Sequence, residues 1–160
     1  MIFNHNNKIL EVIFGIPNYR YKIWLFRLII ANILCFMVIY PLAMFTNWGM
    51  VDLPPLEMSA QVMVPTIFAS TLSFMLSTMI RSGNGSAVVV IIIGLLLFFL
   101  NVMLGNSPWN VFLNPFGMNP NSNPEIFQSL VIDNRIRIII ASIVFLLVGL
   151  VKLEKRERFI

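Results

Sequence analysis

Residues 88–100 form the uninterrupted apolar stretch VVVIIIGLLLFFL, and this stretch limits the possible fold more than any other feature of the chain. A helix that is apolar on every face must be buried in lipid or inside protein. The stretch lies in an apolar run at residues 86–105, and similar runs lie at 23–45, 60–80 and 136–151. A helix needs about 20 apolar residues to cross a bilayer. The pattern predicts an all-α, polytopic integral membrane protein with four transmembrane helices.

The composition excludes a soluble domain. Of the 160 residues, 58% are apolar and 11% are charged, whereas soluble domains are about 45–50% apolar and about 25% charged. A soluble domain of this size cannot bury so much apolar surface, and disordered chains combine low hydrophobicity with high charge. We therefore expect a single membrane domain over residues 1–160, in contact with the lipid bilayer. The single cysteine, Cys35, cannot form an internal disulfide.

The basic residues lie mainly on one side of the predicted spans. Nine of them flank the start of the first span, lie between the second and third, or follow the fourth: Lys8, Arg20, Lys22, Arg27, Arg81, Lys152, Lys155, Arg156 and Arg158. Only Arg135 and Arg137 lie on the other side. Because Lys and Arg accumulate in cytoplasmic loops, we expect both termini to be cytoplasmic and residues 106–135 to be external. This distribution explains the net charge of +4 without a nucleic-acid partner.

The expected external segment is rich in proline and in aromatic residues. It contains Pro108, Trp109, Phe112, Pro115, Phe116, Pro120, Pro124 and Phe127. Solvent-exposed loops rarely carry so many aromatic residues, whereas aromatic rings suit the membrane interface. We expect part of this segment to enter the interface as short broken helices.

The predicted spans lack the groups that catalysis or ion coupling requires. None contains Asp, Glu or His, the residues that proton-coupled carriers usually place within the membrane. The GNGS sequence at residues 83–86 has neither the spacing nor the lysine of a phosphate-binding loop. The sequence therefore predicts no enzyme activity, no catalytic residue, no cofactor and no metal site. Energy for transport would have to come from a partner.

Four hydroxyl residues share one face of the second span. Thr66, Ser70, Ser73 and Ser77 follow one another at spacings of 4, 3 and 4 residues. Small hydroxyl residues allow helices to approach closely in lipid. The same face could also line a wet substrate path, and the sequence leaves both interpretations open.

Residues 8–18 form a second unusual segment, apolar but too short to cross a bilayer. Their sequence, KILEVIFGIPN, predicts a short cytoplasmic helix. Such a helix would either lie at the membrane surface or dock into a groove of a partner protein.

The chain resembles the permease subunits of type-2 ABC exporters, over their C-terminal four spans. Five groups of residues carry the resemblance, in chain order: Leu10-Glu11; Pro17-Asn18-Tyr19-Arg20 with Ile23 and Arg27; Leu76-Ser77 with Ile80-Arg81-Ser82 and Gly85-Ser86-Ala87; Leu113-Asn114-Pro115-Phe116 with Asn134-Arg135; and Arg156-Glu157-Arg158-Phe159.

The resemblance implies that the chain is the membrane-spanning component of an ATP-driven exporter in a bacterial plasma membrane. Residues 8–18 would form the coupling helix to a separate ABC ATPase subunit, which would hydrolyse the ATP. The implied contact residues are Ile9, Leu10, Glu11, Ile13, Phe14, Pro17 and Arg20. A second permease chain would complete a dimer. Permeases of this family have six spans, so two N-terminal spans are expected on a separate chain or are missing from a truncated product.

Other functions are compatible with the same residues. The chain could be a small non-catalytic membrane scaffold or accessory protein, or a truncated and inactive permease fragment. An oligomeric passive channel is a further alternative, although the spans lack the ring of charged side chains that many channels carry.

The expected topology predicts the accessibility of residue 122. In a Cys35→Ala background, the cysteine of Ser122→Cys should react with a membrane-impermeant thiol reagent in intact cells, because residues 106–135 are expected to be external. Labelling only after the membrane is opened would contradict the topology.

Overall fold

The computed structural model describes residues 19–50, 52–80, 83–118 and 123–157. Within these ranges the chain forms four α-helices and no strand. We number them α1 (Tyr19–Gly49), α2 (Pro55–Met79), α3 (Gly83–Leu104) and α4 (Pro124–Glu157). All four are long and apolar enough to cross a membrane. The expectation of an all-helical chain with four helices of span length is confirmed.

The fourth helix begins earlier than its apolar run. The run starts at residue 136, whereas α4 begins at Pro124. The Asn123 side-chain oxygen accepts a hydrogen bond from the Glu125 backbone N–H at 3.0 Å, which caps the helix. Proline in the first turn and the acidic Glu125 beside it also favour a helix start. The helix therefore includes Asn134 and Arg135, which were expected in the external segment.

Helix α2 lies at the centre of the packing. It contacts α4 most extensively, then α1 and then α3, whereas α1 and α4 touch each other only slightly. The rings of Phe68 on α2 and Phe145 on α4 are tilted against each other, with centroids 5.4 Å apart. Most residues of α1 and α3 are exposed, including large apolar side chains such as Phe99. Exposed apolar surface on this scale is compatible with a multi-pass membrane protein.

Small residues bring α2 and α4 close together. A Cβ atom added to Gly149 on α4 would lie 2.7 Å from ring carbons of Phe74 and 3.3 Å from the Met75 Cα on α2. Thr71 on α2 and Ser142 on α4 are buried, and their hydroxyls bond to carbonyls of the preceding turn of their own helices. Since these hydroxyls are satisfied internally, the two helices can approach closely without leaving an unpaired polar group.

The contact at Gly149 predicts a difference between two glycine variants. Gly149→Ala should destabilise the protein by about 1–3 kcal/mol, because the added methyl group overlaps the Phe74 ring. Gly94→Ala is the matched control, since nothing lies within 4 Å of a Cβ atom there. Unfolding by sodium dodecyl sulfate in mixed micelles, followed by circular dichroism, measures both. Equal stability of the two variants would contradict the α2–α4 packing.

Candidate functional site: a polar cap above an apolar cavity

The connection from α3 to α4 is built from turns. Helix α3 ends at Leu104, and the next residue, Gly105, has a φ of +48°, the left-handed conformation that favours glycine after a helix. Successive turns follow, each closed by a backbone N–H that donates to the carbonyl three residues earlier. The donors are Ser107, Asn110, Leu113 and Gly117. Residues 106–118 contain no helix, because each turn is closed separately, and the described helical part of the expected external segment is residues 124–135, which belong to α4.

The Asn110 side chain fixes the start of this connection. It is 2% exposed, and its Nδ2 donates to the Asn101 Oδ1 at 2.8 Å and to the Gly105 carbonyl at 2.7 Å. Its Oδ1 accepts a hydrogen bond from the Phe112 N–H at 3.1 Å. One buried amide thus joins the C-terminal end of α3 to the turns that follow it.

Asn134 joins the same turns to α4. Its side chain is fully buried, and its Nδ2 donates to the carbonyls of Pro108 and Asn110 at 3.0 and 2.8 Å. These acceptors are 26 and 24 residues away in the chain. The Asn134 amide is the donor to the Pro108 carbonyl, and it is a second donor to the Asn110 carbonyl, which also accepts the Leu113 N–H within the turns. These two bonds hold the connection against α4.

Arg135 extends this network to α2. Its Nε donates to the Gln61 Oε1 at 2.8 Å, its Nη2 to the Leu113 carbonyl at 3.1 Å and its Nη1 to the Asn134 Oδ1 at 3.2 Å. We call Gln61, Asn101, Asn110, Asn134 and Arg135 the polar cap. It joins α2, α3, α4 and the turns between α3 and α4 at one end of the bundle.

The two arginines near the cap differ in their charge partners. Arg137 forms an ion pair with Asp133, with 2.9 Å between Nε and Oδ2, and its guanidinium lies 4.8 Å from the centroid of the Trp109 ring. All three hydrogen bonds of Arg135 go to uncharged oxygens. Among the residues that the structure describes, no carboxylate lies within 4.0 Å of the Arg135 guanidinium nitrogens. The charge of Arg135 is thus hydrogen-bonded but not neutralised.

A cavity of about 670 Å³ lies directly below the polar cap, between α2, α3 and residues 111–116. Its walls are mainly apolar, and its polar members are Gln61, Thr66, Asn114 and Arg135. Gly94 of α3 lies on the wall opposite α2. We call this space the α2–α3 cavity. Its volume falls within the range of about 300–1,000 Å³ that is usual for small-molecule sites.

A smaller cavity of about 380 Å³ lies between α1 and α2. Asn32 and Thr71 are its polar wall residues. The Asn32 Nδ2 donates to the Leu28 carbonyl on its own helix at 2.8 Å. Since both polar groups are satisfied within the helices, this second cavity offers no obvious group for binding or chemistry.

The four hydroxyl residues of the predicted α2 face do not form one continuous polar surface. The Ser70 hydroxyl lies 3.1 Å from the Asn32 Oδ1 on α1 and 2.9 Å from the Ile67 carbonyl, so its hydrogen is shared between them. Thr66 bonds to the Val62 carbonyl and lines the α2–α3 cavity. Ser77 bonds to the Phe74 carbonyl, and Ser73 is half-buried. Ser70 thus takes part in helix packing and Thr66 faces a cavity, so both interpretations of the face stay open.

The predicted ATPase contact falls almost entirely outside the described part of the chain. Ile9, Leu10, Glu11, Ile13, Phe14 and Pro17 lie outside the described residues, and Arg20 lies in the first turn of α1. In the described ranges, no group of three or more His, Cys, Asp or Glu residues is placed to hold a metal ion.

The motifs of the sequence do not reveal the amides of the polar cap. Asn134-Arg135 belongs to one of the exporter-like motifs, whereas Gln61, Asn101 and Asn110 belong to none. Gln61 and Asn101 lie inside long apolar runs. An amide in an apolar environment costs free energy unless it is hydrogen-bonded, so an isolated amide in such a run indicates a polar partner elsewhere.

Comparison of the chain with protein-family models, curated proteins and solved structures finds no match.

The polar cap predicts that Asn134 is important for stability. Asn134→Leu should lower the stability by about 2 kcal/mol or more, because the Pro108 carbonyl loses its donor, and the Asn110 carbonyl and the Arg135 Nη1 each lose one hydrogen bond. Thermal unfolding in detergent, followed by tryptophan fluorescence, measures the loss. Asn106→Leu is the control, since Asn106 is an exposed asparagine of the same connection. Equal melting temperatures for the two variants would contradict this role of Asn134.

Proposed function

We propose that this chain is the membrane-spanning permease component of an ATP-driven ABC exporter in a bacterial plasma membrane. The observation that carries the proposal is the order of the exporter-like motifs from Leu10 to Phe159 on a chain with four helices of span length. In this proposal both termini are cytoplasmic, a separate ATPase subunit binds residues 8–18, and a second permease chain completes the transporter.

The positions of the basic residues support this orientation. Of the nine lysines and arginines that the sequence places on one side of the spans, Lys22 and Arg27 lie near the start of α1 and Lys152 near the end of α4, at the end of the bundle opposite the polar cap. The two exceptions, Arg135 and Arg137, are held by the fold itself, through Gln61 in one case and Asp133 in the other. These two basic residues stand against nine at the other end, so the count of basic residues still favours this orientation. The polar cap then faces the outside.

The apolar surface supports an assembly inside a membrane. No residue of the most apolar window of α3 is buried, and few residues of the corresponding window of α1 are. These faces are available to lipid and to a second permease chain. The chain itself would contribute the α2–α3 cavity and the hydroxyl face of α2, while the bound ATPase would supply the energy.

The proposal predicts a loss of ATPase binding when Phe14 is shortened. Phe14→Ala should remove most of the ATPase activity that co-purifies with the chain from membranes of the native host. A phenylalanine seated in a partner groove contributes about 3 kcal/mol. The measurement is vanadate-sensitive ATP hydrolysis in the purified sample, at equal membrane levels of the two chains.

Phe99→Ala is the matched control, because Phe99 is another phenylalanine, is 68% exposed on α3 and does not belong to the proposed ATPase-binding segment. The control chain should retain the ATPase as the wild type does. Absence of co-purifying ATPase activity from the wild type would contradict the exporter proposal and favour a non-catalytic scaffold. If Phe14→Ala retained as much ATPase activity as the wild type, residues 8–18 would be assigned to the membrane surface instead of to an ATPase contact.

A further inference from the structure

The Arg135 guanidinium has donors left over as well as an unneutralised charge. A guanidinium carries five N–H groups, and three hydrogen bonds to Gln61, Leu113 and Asn134 use one hydrogen on each nitrogen. Two N–H groups, one on each Nη atom, are left for another acceptor. Arg135 is half-buried and lines the α2–α3 cavity. A cationic group in mainly apolar surroundings favours a nearby anion, because water solvates it incompletely there.

The α2–α3 cavity is elongated along the helices. Its wall on α2 runs from Met58 in the first turn to Leu72, and its wall on α3 runs from Leu97 back to Val90. The 14 residues between Met58 and Leu72 correspond to about 21 Å of helix at 1.5 Å per residue. One leaflet, with its headgroups, is about 20–22 Å thick, half of the 40–45 Å of a whole bilayer. Along α2 the cavity thus extends over about the depth of one leaflet, and along α3 it extends over about 10 Å.

The charge and the apolar walls are separated in space. Arg135, Gln61 and Asn114 lie at the cap end, whereas the deeper wall is formed by residues such as Ala69, Leu72 and Gly94. An anionic group at one end and a hydrocarbon chain below it would match both parts. Arginine binds phosphate oxygens through charge-assisted N–H bonds, and one N–H on each Nη atom remains for such bonds.

We propose that the α2–α3 cavity binds an acidic phospholipid of the leaflet that faces the polar cap. The headgroup phosphate contacts Arg135, and one acyl chain lies between α2 and α3 beside Gly94. The inference rests on the proposed insertion into a bilayer, but it requires neither an ATPase partner nor transport. Lipid binding can therefore be tested on the purified full-length chain, independently of the exporter proposal.

The test is native mass spectrometry of the 160-residue chain in detergent, titrated with dioleoyl phosphatidylglycerol or dioleoyl phosphatidylcholine. The two lipids have the same acyl chains, and only the first carries a net negative charge. The wild type should retain one phosphatidylglycerol molecule with an affinity about tenfold higher than for phosphatidylcholine. Arg135→Gln should reduce this preference to about twofold or less, because the charge is lost.

Two variants of α3 test the position of the acyl chain. Gly94→Phe should weaken the binding of both lipids about tenfold, because the ring fills the cavity where open space lies around Gly94. Leu95→Phe is the control, since Leu95 is the next residue, is 54% exposed and lies outside the cavity wall. It should bind both lipids as the wild type does. This pair keeps the test valid even if Arg135→Gln disturbs the polar cap.

Three results would overturn the proposal. The first is equal affinity of the wild type for the two lipids, and the second is equal lipid binding by Gly94→Phe and Leu95→Phe. The third is a dimer that Gly94→Phe dissociates while no lipid is retained, which would assign the cavity to a second copy of the chain.

Discussion

The buried amide of Asn134 is the interaction on which the cap end of the structure depends. The turns at residues 105–118 have no regular ladder of hydrogen bonds, so several of their backbone groups need partners from elsewhere. Asn134 supplies two of these bonds from α4, and its oxygen accepts a bond from Arg135, which continues to Gln61 on α2. This amide thereby connects a segment without regular secondary structure to α4 and, through Arg135, to α2.

Close contact between α2 and α4 provides the frame that positions the polar cap. Gly149 allows the Phe74 ring to reach the α4 backbone, and the buried hydroxyls of Thr71 and Ser142 bond within their own helices. In lipid, where apolar association drives helix packing weakly, such close fitting of small residues is a main source of attraction between helices. The weaker contact of α3 with α2 leaves the cavity beside Gly94 open.

The proposed exporter and the proposed lipid site use different parts of the chain. The ATPase would bind at residues 8–18, whereas Arg135 and the cavity belong to the cap end of the bundle. Motion from one end would have to travel along α2, which contacts every other helix. A lipid held between α2 and α3 would then contact the helix that transmits the motion. If the lipid bound more tightly to one arrangement of α2 and α3 than to another, it would favour that arrangement.

Residue order by itself determined the helical class and the number of helices of span length, because apolar runs near 20 residues permit few other structures. The start of α4 is also encoded locally, in Asn123, Pro124 and Glu125. Hydropathy does not show it, because the apolar run begins only at residue 136. Tertiary structure alone decided how Gln61, Asn110, Asn134 and Arg135 meet. Their bonds join residues up to 74 positions apart, and an amide in a sequence shows that it needs a partner but does not show which one.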